Sequence, residues 1–174
     1  MTWNCVTDRG NSPDTIVIGL GNLLLSDDGV GIQVIRYLRQ ILRRASNDHA
    51  DIVLEEDHRG GLRLMERLIG YRRAIIVDAI QTASCPAGTV RRLGVGQLAT
   101  AHSCCSHDAD LQDALDFGRK AGAPLPRNSE IDLIAVEAAD CHTFCEELTP
   151  PVAGAVALAA AEVLKLLPPC QIET

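Results

Sequence analysis

The sequence predicts an α/β protein: a three-layer α/β/α domain on a mainly parallel, twisted sheet, one edge strand of which can run antiparallel. Three observations predict it. Short runs rich in Val, Ile and Leu alternate along the chain with segments of helical periodicity. The runs are apolar on both faces, as strands covered from two sides must be. And 174 residues, 47% of them hydrophobic, suffice for one sizeable core. Residues 15–168 are therefore read as a single domain, between a polar lead-in at 1–14 and a tail at 169–174.

The elements follow in order. Thr15–Gly19 is the first strand, and Val30–Arg44 the first helix. Its apolar residues Val30, Ile32, Val34, Ile35, Leu38, Ile41 and Leu42 fall mostly three or four apart. Arg39, Arg43 and Arg44 sit in its last turns, where they complement the helix dipole. Asp51–Leu54 and Ala74–Ile80 are strands, with helical spacing at Leu62–Ile69 between them. Thr89–Leu93 contains Arg91 and Arg92 and so reads as a half-exposed edge strand. Leu111–Ala121 is a helix and Ile131–Glu137 a strand. Pro151–Leu167 closes the chain as a helix, started by Thr149 as N-cap and Pro150 in the first helical position. The order of strands in the sheet is not legible in this pattern.

Composition excludes several classes. Aromatics are only 3%, so the core is aliphatic. A net charge of −7 repels phosphate backbones and argues against nucleic acid as a partner. The longest apolar run, Val152–Leu167, is interrupted by Glu162 and Lys165, which argues against membrane insertion. The opening MTWNCVTDRGNSPD lacks the layout of a signal peptide, so a cytoplasmic location is expected. Seven cysteines, an odd number, are then expected as thiols.

In open parallel sheets, sites form just beyond the carboxyl ends of the strands. Asp28 lies just past the first strand. Asp78 interrupts the aliphatic run Ile75-Ile76-Val77, and His107 sits in a polar loop at or just before a helix. Of the neighbours Asp27 and Asp28, one suffices to cap the helix that follows; the other, beside Gly29, is free to be a ligand or a catalytic carboxylate. Asp78 on an aliphatic strand carries a desolvation cost of several kcal/mol unless it is paired, hydrogen-bonded or metal-bound. Two carboxylates and one imidazole form a set that a divalent first-row metal such as nickel or zinc accepts.

Competing readings stand beside this one. Gly19-Leu20-Gly21 resembles the start of a dinucleotide fingerprint, but Leu24 occupies the third glycine position and no Walker-type motif occurs. Cys104, Cys105 and His107, with Cys141, His142 and Cys145, offer a thiolate metal site, though without a Cys-x-x-Cys pair. Idle thiols, or a cysteine nucleophile beside His107, are the other uses of the same residues.

The blocks GLGNLLLSDDGVG (19–31), AIIVDAI (74–80), PAGTV (86–90), SHDADLQDAL (106–115) and ELTPPV (147–152) occur in an order that resembles the nickel–iron hydrogenase maturation endopeptidases. The likeness runs from about Thr15 to Leu167. It implies a monomeric endopeptidase that removes a C-terminal extension from the hydrogenase large-subunit precursor after nickel insertion. The family's metal-contacting and catalytic positions map onto Asp28, Asp78 and His107, the metal being nickel carried by the substrate. A non-cleaving nickel-binding chaperone and a thiolate-metal or redox protein remain the alternatives.

Three departures mark this chain. Arg59-Gly60-Gly61 stands where the family usually has Asp-Gly-Gly, with Glu56, Asp57 and His58 just before it. The acidic function there has moved to Asp57, has been replaced by His58, or is absent. Asp108 and Asp110 follow His107 where smaller or apolar residues are usual. The segment from Glu137 to His142 lacks the customary Pro-Glu. Together they point to an atypical subgroup with its own partner.

Overall fold

The computed structural model describes residues 14–44, 51–95 and 108–167. Five strands, β1 (Thr15–Leu20), β2 (Ile52–Asp57), β3 (Arg73–Ile80), β4 (Val90–Gly94) and β5 (Ile131–Glu137), form one sheet in the order β2-β1-β3-β5-β4. All pairs are parallel except β4 with β5, so the arginine-bearing strand is an antiparallel edge as expected. The helices are α1 (Val30–Arg44), α2 (Gly61–Arg67), α3 (Asp108–Lys120) and α4 (Pro150–Leu166).

Strand side chains alternate between two cores. On one face Val17, Ile75, Val77, Ile134 and Val136 pack under Val34 and Leu38 of α1 and Ala159 and Val163 of α4. On the other, Ile16, Ile18, Ile76, Ile80 and Leu133 meet Leu64 of α2 and Leu111 and Leu115 of α3. Residues 74–80 of β3 are buried throughout, which is why that strand reads as a continuous aliphatic run.

Glycine sets the depth at which α1 seats. A Cβ on Gly31 would lie 2.3 Å from the carbonyl oxygens of both Leu20 and Val77, and one on Gly19 would lie 2.2 Å from the Gly31 oxygen. The obstacles are backbone atoms, which cannot rotate away. Gly31→Ala is therefore expected to cost about 3 kcal/mol or more, read as a lowered urea midpoint with an unchanged slope.

From β1 the chain crosses through α1 to β2 on one side, while β3 leads toward β5 and β4 on the other. The crossovers diverge between β1 and β3, and the carboxyl ends of strands at such a switch point are where open α/β sheets form their sites.

Candidate active site

Asp28 lies in the turn after β1 and Asp78 near the carboxyl end of β3, the two strands that flank the switch point. After β1 the chain turns at Gly21, whose φ of +136° favours glycine and whose absent Cβ would lie 1.8 Å from the Asp28 carbonyl oxygen. The Asn22 N–H donates to Asp28 Oδ2 at 2.6 Å. A 3-10 turn, Ser26–Gly29, packs against β3 and runs directly into α1. Asp78 shares its strand face with Ile76 and Ile80, toward α2 and α3, and its Oδ1 accepts the Ala79 N–H at 2.8 Å. Each aspartate is only 1% exposed.

Asp27 has a role that its place in the sequence does not announce. Spacing pairs it with Asp28 as two acids of which one caps α1, yet its carboxylate serves a distant loop. Oδ2 accepts the N–H groups of Ala139 and Asp140 and the Thr149 hydroxyl, and Oδ1 accepts the Thr149 N–H, all at 2.7–3.0 Å. Thr149 is the N-cap residue of α4 as expected, but its hydroxyl goes to Asp27 instead of capping. The same two segments are joined by Ser26 N–H to Cys145 O, Cys145 N–H to Leu24 O and the Ser26 hydroxyl to Glu147 O. Asp27 thus ties residues 139–149 to the turn that carries Asp28.

Glu137 does the same for Asp78. Buried at the end of β5, it accepts the N–H groups of Thr82 and Ala83 and the Thr82 hydroxyl, and pairs with Arg91 of the edge strand at 3.3 Å. It holds the loop that follows β3. The signal that singles out Asp78, a carboxylate on an aliphatic strand, marks Glu137 equally well, so the sequence does contain the means to find it.

At the end of β2, Asp57 is buried and engaged by Arg59 at 3.1 Å and Arg67 at 3.3 Å, with the His58 and Arg59 N–H groups on Oδ1. Burial pushes its carboxyl up. The Arg59 guanidinium and the two N–H groups outweigh that, and its pKa lies below the ordinary carboxylate value. Asp57 is thus committed to a structural pairing with arginine, while His58 is exposed. In the 139–149 loop the Thr143 hydroxyl and the His142 and Thr143 N–H groups draw the half-buried Asp140 carboxyl down to about 2.

His107 lies outside the described residues, as do Cys104 and Cys105. It is the residue before Asp108, the first of α3, which packs on the face toward which Asp78 points. Cys85, Cys141 and Cys145 are not disulfide-bonded; Cys141 packs in the α1–α4 core. Among the described residues no group of three His, Cys, Asp or Glu side chains is placed to hold a metal.

Two buried carboxylates lie near the switch point of the mostly parallel sheet of an α/β protein. Comparison with known proteins agrees. The HycI family, described as hydrogenase maturation protease, matches residues 37–166, a span that includes Asp78 and His107 and begins after Asp28. The chain is 29% identical over 161 residues to the hydrogenase expression/formation protein HupM of Azotobacter chroococcum mcd 1, covering 91% of this chain and 73% of that one. It is 26% identical over 154 residues to the hydrogenase 2 maturation protease of Escherichia coli (strain K12), covering 87% and 89%. The hydrogenase maturating endopeptidase HybD from E. coli shares the fold, with a TM-score of 0.70 at 23% identity over 87% of this chain and 90% of that one. The chain belongs to the HycI family of hydrogenase maturation proteases. It is an endopeptidase that cleaves the hydrogenase large subunit at its carboxyl-terminal end.

Proposed function

We propose that this endopeptidase acts on a nickel-loaded large-subunit precursor and holds it through the nickel. Asp28 and Asp78 supply carboxylate oxygens and His107 an imidazole nitrogen, a donor set suited to a divalent first-row ion. The observation that supports this is that Asp28, in the turn after β1, and Asp78, near the carboxyl end of the neighbouring β3, are both buried carboxyl groups. Coupling follows directly: a precursor without nickel offers these carboxylates nothing to grip.

Hydrolysis needs a base that takes a proton from the attacking water and a donor that returns it to the leaving amine. A carboxylate at this edge can do both in turn. The substrate's metal supplies polarisation of the scissile carbonyl. Asp27 and Glu137 hold the two carboxylate-bearing segments in place, so less order has to be gained on binding. The enzyme works as a monomer in the cytoplasm, a compartment that suits the free thiols of Cys85 and Cys145 among the described residues. No described helix is long and apolar enough to cross a membrane.

The test is intact mass of the large-subunit precursor from the same genome, with and without nickel, before and after incubation with the protein. Loss of a short C-terminal peptide is expected only from the nickel-loaded precursor, and not with His107→Ala. Equal cleavage of the nickel-free precursor would overturn the metal grip.

A further inference from the structure

At the carboxyl end of β2, on the sheet face toward which Asp78 points, lies a cleft of about 280 Å³ lined by Arg59, Arg63, Glu66 and Arg67. Its lining carries three positive charges and one negative, on a chain whose net charge is −7. Arg59 and Arg67 converge on one buried carboxylate, Asp57, and Arg67 also reaches Glu55 at 3.5 Å. Their guanidinium groups are therefore held in place. Arg63, exposed and midway between them in the chain, makes no ion pair among the described residues. The cleft adjoins the catalytic edge: the Gly21 N–H donates to the Asp57 carbonyl, and Gly21 packs on Asp28.

We propose that this cleft is a specificity subsite for an acidic side chain of the substrate polypeptide. The inference rests on the reading that the chain cleaves a large-subunit precursor, and it adds which chemistry that precursor presents. A guanidinium not already engaged by a carboxylate is suited to bidentate binding of one. From β3 to β2 is two strand spacings, roughly 10 Å. About three extended residues span that distance. A peptide lying across Asp28 and Asp78 thus brings a side chain near the scissile bond into the arginines. Arg59 and Arg67 are already engaged by Asp57 and Glu55, so the selection for negative charge rests on Arg63, with the two paired guanidinium groups as neighbours.

The test follows cleavage of the nickel-loaded precursor by intact mass at varied precursor concentration. Arg63→Glu is expected to raise KM by about tenfold, with the loss falling on KM and not on kcat. A compensating Asp→Lys or Glu→Lys change within a few residues of the scissile bond should restore KM for that variant and raise it for the wild type. Arg63 is exposed, so neither Arg63→Glu nor Arg63→Ala threatens the fold. Equal KM for the wild type and Arg63→Glu would overturn the subsite. So would a KM difference that persists on a precursor whose acids near the cut are all replaced by amides. Dependence on the free terminal carboxylate, lost on truncating the extension, would assign the cleft to the chain end and overturn the side-chain assignment. If the wild type cleaves nothing, the protease reading fails. The subsite is then judged separately by fluorescence anisotropy of the labelled extension peptide against its Glu→Gln form, where equal binding would overturn it.

Discussion

Changing Asp78 to asparagine is expected to lower cleavage of the nickel-loaded precursor by about 10²–10⁴-fold, with little change in the fold. Asparagine conserves volume and keeps a carbonyl oxygen for the Ala79 N–H that Asp78 Oδ1 now accepts. What it removes is the charge. That carboxylate lies near the carboxyl end of β3, beside β1, where the proposed function has it act. Because the side chain is buried, the control matters: far-UV circular dichroism and the urea midpoint should match the wild type. Wild-type cleavage by a folded Asp78→Asn protein would remove Asp78 from the catalytic set.

Asp27→Ala is expected to act on stability first, with a loss of about 4 kcal/mol. The carboxylate is fully buried and satisfies three backbone N–H groups and one hydroxyl, none of which an alanine can accept. Each buried donor left without an acceptor costs about 1–3 kcal/mol, partly relieved where water can enter. Set against the roughly 5–15 kcal/mol typical of a domain, this is a large fraction. Since Asp27 binds both the loop before α4 and the start of that helix, hydrogen exchange should rise first at residues 139–149. A urea midpoint within experimental error of the wild type would show that the clamp is dispensable.

Asp27 also marks the limit of local pattern. Its partners lie 112, 113 and 122 residues away along the chain, and no short-range spacing encodes such a separation. Local chemistry allows a helix cap, and on spacing alone that is a sound expectation. The fold instead delivers four donors to a buried carboxylate. Arg59 is the converse. Its departure from the usual Asp-Gly-Gly is visible in the sequence, but that it joins Arg63 and Arg67 around a cleft depends on α2 packing beside Asp57.

What the sequence determined by itself was everything governed by short-range periodicity and desolvation. α1 runs from Val30 to Arg44 as its apolar spacing predicts, and β5 from Ile131 to Glu137. β4 reads as an edge because Arg91 and Arg92 suit a half-exposed strand, not one covered on both faces. Asp78 stands out because a carboxylate on an aliphatic strand is costly unless it is used. Only the tertiary structure decided the order β2-β1-β3-β5-β4. Strand neighbours are chosen by how two faces of side chains and the crossover helices pack together, and nearly interchangeable aliphatic strands carry no label for it. That order puts β1, whose following turn carries Asp28, beside β3, which carries Asp78, and the backbone-tight contacts of Gly19, Gly21 and Gly31 fix how α1 and that turn seat on the two strands.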